Sequence, residues 1–301
     1  MRQSVASEKA AGAVFLSLGP KLKPYLFLLP IIFFALSFVY FPFIRTFMYS
    51  FSQVNFRGEI LAFTGLKNFR RLFTDPVFVT ALKNTFRLTL TFTPLNLFCS
   101  LALALLAEKK RKAGMFYETM FIMPMAVSMP AASQIFKMLL EPTMGILNYK
   151  LGLNIGWFTD AQTALYGIVI VCLWIGMPFD FLLFLSALRN VPAQLVESAA
   201  LEGAGYIRRL FRIQLPLITP TILYVVCTNV VLAMMTSTPV MIITGGQPGR
   251  STVTLIYMMY TSGYQSSNYS LASCISIVTF ACTFGMVLLA MVFERRGIHY
   301  D

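Results

Sequence analysis

The chain has 301 residues, of which 57% are apolar and 12% charged. A soluble domain carries about twice that share of charge, and several apolar runs reach the ~20 residues that cross a bilayer, so composition excludes an ordinary soluble protein. The runs are continuous rather than alternating, which excludes a β-barrel, and the net charge of +12 reads as basic residues gathered at membrane margins rather than a nucleic-acid footprint.

Residues 1–24 form a basic N-terminal segment with Arg2, Lys9, Lys21 and Lys23. The apolar run that follows is too long for a secretory signal and lacks a small-residue cleavage site. It is read as the first of six predicted spans, at 25–43, 85–107, 116–139, 163–187, 217–243 and 270–293. The predicted class is an all-α polytopic membrane protein. One membrane domain covers 25–293, and a short tail covers 294–301.

Prolines punctuate the spans: Pro30 and Pro42 in or near the first, Pro124 and Pro130 in the third. Each removes a backbone donor and predicts a kink whose freed carbonyls need other partners.

Lys and Arg orient the bundle. The loop after the second span holds Lys109, Lys110, Arg111 and Lys112; the loop after the fourth holds Arg189, Arg208, Arg209 and Arg212; the tail holds Arg295 and Arg296. With six spans these lie on one side, which the positive-inside rule makes cytoplasmic, both termini included. The loops at 141–162 and 241–269 carry only Lys150 and Arg250. The segment 44–83 runs against this pattern, with Arg45, Arg57, Lys67, Arg70, Arg71 and Lys83. Within it Leu66, Phe69, Leu72 and Phe73 have amphipathic helical spacing, suited to a helix lying on the outer membrane surface.

Cys99, Cys172, Cys227, Cys274 and Cys282 all fall in apolar spans without C-x-x-C spacing and read as small buried hydrophobes. His299, in the tail, is the only histidine, so no metal site is expected.

The loop between the fourth and fifth spans, 188–216, has the most internal structure. Pro192 suits a helix start. Leu195, Val196, Ala199 and Ala200 fall on one face of the helix that follows. Gly203 and Gly205 allow a sharp turn. Tyr206 to Ile213 makes a second short helix expected to expose Arg208, Arg209 and Arg212, and Pro216 and Pro220 mark the re-entry. The product is a helical bracket with small residues at its bend and two acids, Glu197 and Glu202, offered to a partner. Read as residues alone, it is equally a membrane-margin loop rich in arginine.

Glu197-Ser198-Ala199, three residues, Gly203, nine residues, then Ile213-x-Leu215-Pro216 resembles the EAA loop of binding-protein-dependent ABC importer permeases. Ser198 stands where that loop usually has Ala and Glu202 where Asp is commoner; Ala204 follows the glycine. Gly65-Leu66-x-Asn68-Phe69, Asn84-Thr85, Gly245-Gly246-Gln247-Pro248 and Ser251-Thr252-x-Thr254-Leu255-x-Tyr257 are similar to the carbohydrate-type permeases. Gly203-Ala204-Gly205-x-Ile207-Arg208-Arg209-x-Phe211 is similar to the glycerol-3-phosphate permeases among them. The resemblance implies the type I importer fold and partners that include a second, homologous permease subunit, a cytoplasmic ATPase dimer docked on the loop, an extracytoplasmic solute-binding protein and membrane lipid. Nucleic acid is not among them. It also implies that the chain is non-catalytic, with ATP and Mg held by the ATPase and no cofactor here. The chain has no G-x-x-x-x-G-K-S/T phosphate loop.

Candidate substrate-path residues are polar groups inside spans. Asp180 follows Pro178 in the fourth span, where a carboxylate is costly and suggests function or a buried partner. Asn229, Thr236 and Ser237 in the fifth span can bond sugar hydroxyls or neighbouring helices, and Tyr257 can stack on a sugar face. An ion-coupled secondary transporter would want several intramembrane carboxylates, and Asp180 is the one eligible. A membrane enzyme would want a nucleophile or histidine cluster, which the sequence lacks.

Overall fold

The computed structural model describes residues 23–108 and 114–295. The basic N-terminal residues to 22, the cluster Lys109–Lys112 and the tail from Arg296 lie outside the described residues. The chain divides into two compact units, one ending at Tyr49 and one beginning at Ser50.

The first unit is a single apolar rod. Helix α1 (Lys23–Ala35) continues through a wide π turn at Leu36–Tyr40 into α2 (Phe41–Ser50). The predicted end at 43 falls short by about two turns, because Pro42 stands in the first turn of α2, where its missing N–H costs nothing. Most of its aromatic and aliphatic side chains are exposed, as suits an apolar membrane helix.

The second unit opens with a two-stranded hairpin that the sequence reading missed. Strands β1 (Ser52–Val54) and β2 (Ile60–Phe63) pair antiparallel, Ser52 opposite Phe63, with a bulge after Gln53. Asn55 closes the turn by accepting from Arg57 N and Glu59 N, both at 2.9 Å, and Gly58 supplies a φ of +80°. Helix α3 (Lys67–Thr74) follows. Part of its apolar face meets protein: Leu72 is buried and Phe69 packs with it against Phe78, Cys274 and Ile275, while Leu66 and Phe73 remain exposed.

Five further elements, two of them bent pairs, make the bundle. Helix α4 (Pro76–Ala107) begins earlier than predicted because Asp75 caps it, accepting from Val77 N at 2.8 Å, with Pro76 at its first position. The third span is not one rod. Helix α5 (Gly114–Ile122) tightens into a 3₁₀ turn at Met123–Ala126, and α6 (Met129–Leu139) departs from it at 103°. Pro124 ends the first piece, and Ser128 with Pro130 starts the second, Ser128 Oγ accepting from Ala131 N. After the short α7 (Ile146–Leu151) comes α8 (Ala164–Arg189), half of it buried.

The loop folds as helices α9 (Ala193–Leu201) and α10 (Tyr206–Arg209). A π turn at Leu210–Gln214 and α11 (Leu215–Leu217) then lead into α12 (Thr219–Met234) at an angle of 69°. Helix α12 stops nine residues before the predicted end at 243. Pro239 cannot donate to the Met235 carbonyl and its ring crowds it, so the backbone opens at 235–237. Helix α13 (Leu255–Tyr260) lies inside the predicted outer loop, and α14 (Tyr269–Arg295) ends the described residues. Among the described residues four helices are long and apolar enough to cross a membrane, up to six spans if each bent pair counts as one, and the fold is all-α apart from the hairpin.

Three buried clusters run along the bundle. Leu72, Phe78, Leu255 and Ile275 fill one end, Phe92, Ile168, Cys172 and Val240 the middle, and Ala104, Phe181, Phe184 and Val225 the end that carries α9 and α10. Lipid gives apolar helices no hydrophobic reason to associate, so such contacts hold through close packing, and polar pairs between helices set their register.

Candidate functional site

The bracket at 190–217 is held by its own backbone. Helix α9 ends at Leu201, and Gly203 adopts φ +85°. Gly203 N donates to Ala200 O at 3.1 Å and Ala204 N to Ala199 O at 2.9 Å, the paired bonds of a Schellman stop. Ala199 and Ala204 are the two half-buried positions at this stop. Gly205, by contrast, has φ −63° and serves as the cap of α10, so Gly203 alone needs glycine's left-handed freedom. Arg209 departs from expectation: it is half-buried, and its Nη1 donates to Val196 O at 3.5 Å, tying α10 back to α9.

Around this frame Glu197, Ser198 and Glu202 are exposed, Ile213 and Leu215 half-buried and Pro216 exposed. Large apolar side chains stand out: Leu201 is 90% exposed and Ile207 70%, with Phe211 and Tyr206 beside them in sequence. These side chains leave an apolar patch open among the loop's arginines and acids.

The candidate path residues separate into two groups. Asp180 is 2% exposed, and its Oδ2 accepts from Asn96 Nδ2 at 2.6 Å and Asn229 Nδ2 at 2.7 Å. Asn96 Nδ2 also donates to Asn229 Oδ1 at 3.2 Å. One side chain each from α4, α8 and α12 thus closes a buried polar triad between the middle cluster and the α9 end. Asn96 was not singled out from the sequence. Its signal was one amide in an apolar run, at Thr93-Pro94-Leu95-Asn96.

Thr236, Ser237 and Tyr257 stay half-buried at the opening of the fifth span. There Thr254 Oγ1 donates to Thr236 O at 2.9 Å, Leu255 N to Thr85 Oγ1 at 2.9 Å, and Tyr257 OH to Gly245 O at 2.9 Å. Asn84 Nδ2 donates to Arg250 O and Val253 O, both at 3.0 Å. The break in the span is therefore a built feature, its freed carbonyl taken by a side chain. Asn68 acts similarly at the hairpin, its Nδ2 reaching Ser50 O, Ser52 O and Thr64 Oγ1.

A bundle of bent spans, a polar opening in one of them and a surface bracket facing out of the bundle define a membrane translocation subunit. Residues 96–296 match the family described as the binding-protein-dependent transport system inner membrane component, and the chain belongs to that family: it is a multi-pass inner-membrane permease subunit of a binding-protein-dependent importer. The chain is 30% identical over 282 residues to the sn-glycerol-3-phosphate transport system permease protein UgpA of Pectobacterium atrosepticum, covering 92% of this chain and 96% of that one. It is 32% identical over 283 residues to the protein of the same description from Salmonella choleraesuis, with the same coverage. Its fold matches a chain of a bacterial alginate ABC transporter, solved in complex with an alginate pentasaccharide-bound periplasmic protein, with TM-score 0.79 at 24% identity over 92% of this chain and 96% of that one. A second structure of a bacterial ABC transporter involved in import of alginate matches with TM-score 0.77 at 24% identity.

Proposed function

We propose that the chain forms half of the translocation pathway for a carbohydrate-class solute, beside a second, homologous permease subunit, and that α9 and α10 dock on a separate cytoplasmic ATPase. The observation that carries this is the bracket: a rigid Schellman bend at Gly203 with Leu201 and Ile207 exposed next to Glu197 and Glu202. A motor need only bias a two-state bundle through such contacts, and coupling energies of about 1–3 kcal/mol suffice. In this reading ATP and Mg bind the ATPase, this chain hydrolyses nothing, a binding protein delivers solute at the opposite face, and the basic side with both termini is cytoplasmic. Thr236, Ser237 and Tyr257, at the opening of the fifth span, contribute to the solute path. Asp180 and Asn229 support it from behind by fixing three helices together.

The alginate transporters of like fold support an oligosaccharide. The UgpA relatives at 30–32% identity favour glycerol-3-phosphate or a glycerophosphodiester as the second reading. The ligand that co-purifies with the binding protein separates the two. The docking reading is tested by Gly203→Asp: the left-handed φ strains any L-residue and a charge enters the bend. Insertion in the membrane is expected to persist while binding-protein-stimulated ATP hydrolysis and uptake are lost. Normal uptake in that variant ends the docking reading.

A further inference from the structure

Both feet of the bracket are fastened to the same point, the end of α4. At the entry, Arg189 closes α8 and forks onto Glu118 of α5, Nη2 to Oε1 at 2.6 Å and Nη1 to Oε2 at 3.2 Å, while Nη2 also donates to Ala107 O at 3.2 Å. At the exit, Gln214 is 4% exposed and its Nε2 donates to Glu108 Oε1 at 2.7 Å. Ala107 is the last residue of α4 and Glu108 its cap. Between these two fastenings the first turns of α9 do not pack on α4: a recess of about 350 Å³ opens there, with Ala193, Val196 and Glu197 among its walls.

A helix separated from its neighbour by open space pushes it only through the side chains that bridge the gap. A fork of two parallel N–H···O bonds holds direction as well as distance, and a buried amide on a carboxylate oxygen resists removal because its desolvated partners would be left unpaired. We infer that Arg189 and Gln214 are positioning residues that pass the movement of α9 and α10 into the second and third spans, α4 and α5, in addition to the spans the loop joins directly. The triad of Asn96, Asp180 and Asn229 then links α4 to α8 and α12 at mid-bundle, so the spans turn as one body. This rests on the docking reading above.

The test uses the complete importer, with its second permease, ATPase and binding protein, in proteoliposomes, and measures solute transported per ATP hydrolysed. Arg189→Ala and Gln214→Ala are each expected to keep the ATPase on the complex and to lower uptake per ATP about fivefold or more, the low end of ordinary coupling. Arg189→Lys, which retains charge without the fork, is expected to fall between. Arg189→Glu is expected to be the most impaired, and adding Glu118→Arg to it to restore a large part of the loss, which a merely destabilised loop would not do. Unchanged uptake per ATP in both alanine variants, or a charge exchange no better than Arg189→Glu alone, overturns the inference while leaving docking intact. An unmodified chain that retains no ATPase overturns the docking reading and this inference with it.

Discussion

Asp180 shows how one side chain is read differently by sequence and by packing. In the sequence it is an acid stranded in an apolar run; in the fold it is the acceptor at the centre of two amides from two other helices. Asp180→Ala leaves both amides buried without that acceptor, and a loss of about 1–3 kcal/mol is expected, seen as a lower thermal midpoint in detergent. Asp180→Asn keeps an acceptor oxygen and is expected to lose less. Glu141 offers a residue-scale pH test outside the spans. Hydrogen bonds from Met144 N and Thr143 hold its carboxyl below the usual carboxylate range. A group lowered on folding stabilises above its unfolded pKa and loses that effect as pH falls through the folded one. The turn at 141–145 is therefore expected to stay closed at neutral pH and to loosen only in acid below the normal glutamate range, as read by hydrogen exchange at the Met144 amide; loosening near neutrality would contradict it.

Among the elements, the fifth span departs most from expectation. The sequence predicts its helix to 243, but it ends at Met234, and the segment after it folds back as α13 with Leu255 and Met258 buried. Pro239 and three hydroxyl residues were visible in the sequence. What could not be read there was that Thr85 and Asn84, some 170 positions earlier, would hold the returning segment. Removing those bonds by Thr85→Val with Asn84→Ala is expected to speed amide exchange across 253–260 by roughly a hundredfold, since three hydrogen bonds of about 1 kcal/mol each are lost. Exchange as slow as in the native chain would show that packing of Leu255 alone holds α13. The bracket was legible almost throughout, because proline, glycine and apolar spacing are local signals. Arg209 was the exception: its bond to Val196 O depends on how two helices meet.

For the whole molecule, the described residues give four membrane-length helices, and up to six spans when each of the two bent pairs is counted as one. Membership of a binding-protein-dependent importer family leads to a test of energy source. With ATP held constant, dissipating the proton gradient is expected to leave uptake by the assembled importer unchanged, and removing ATP to stop it; collapse of uptake with the gradient would favour an ion-coupled carrier instead.

Composition and apolar run length, by themselves, determined that this chain lives in a membrane as helices, since a bilayer leaves the backbone few ways to satisfy its own polar groups. The spacing of Glu197, Gly203 and Pro216 determined the bracket, since helix stops and turns are set by a few neighbouring residues. Only the tertiary structure decided that Asn96, Asp180 and Asn229 meet, that Arg189 and Gln214 both fasten on the end of α4, and that Leu72 of α3 is buried against protein. Those outcomes depend on which faces of distant helices come together, a matter of three-dimensional packing that no local pattern encodes.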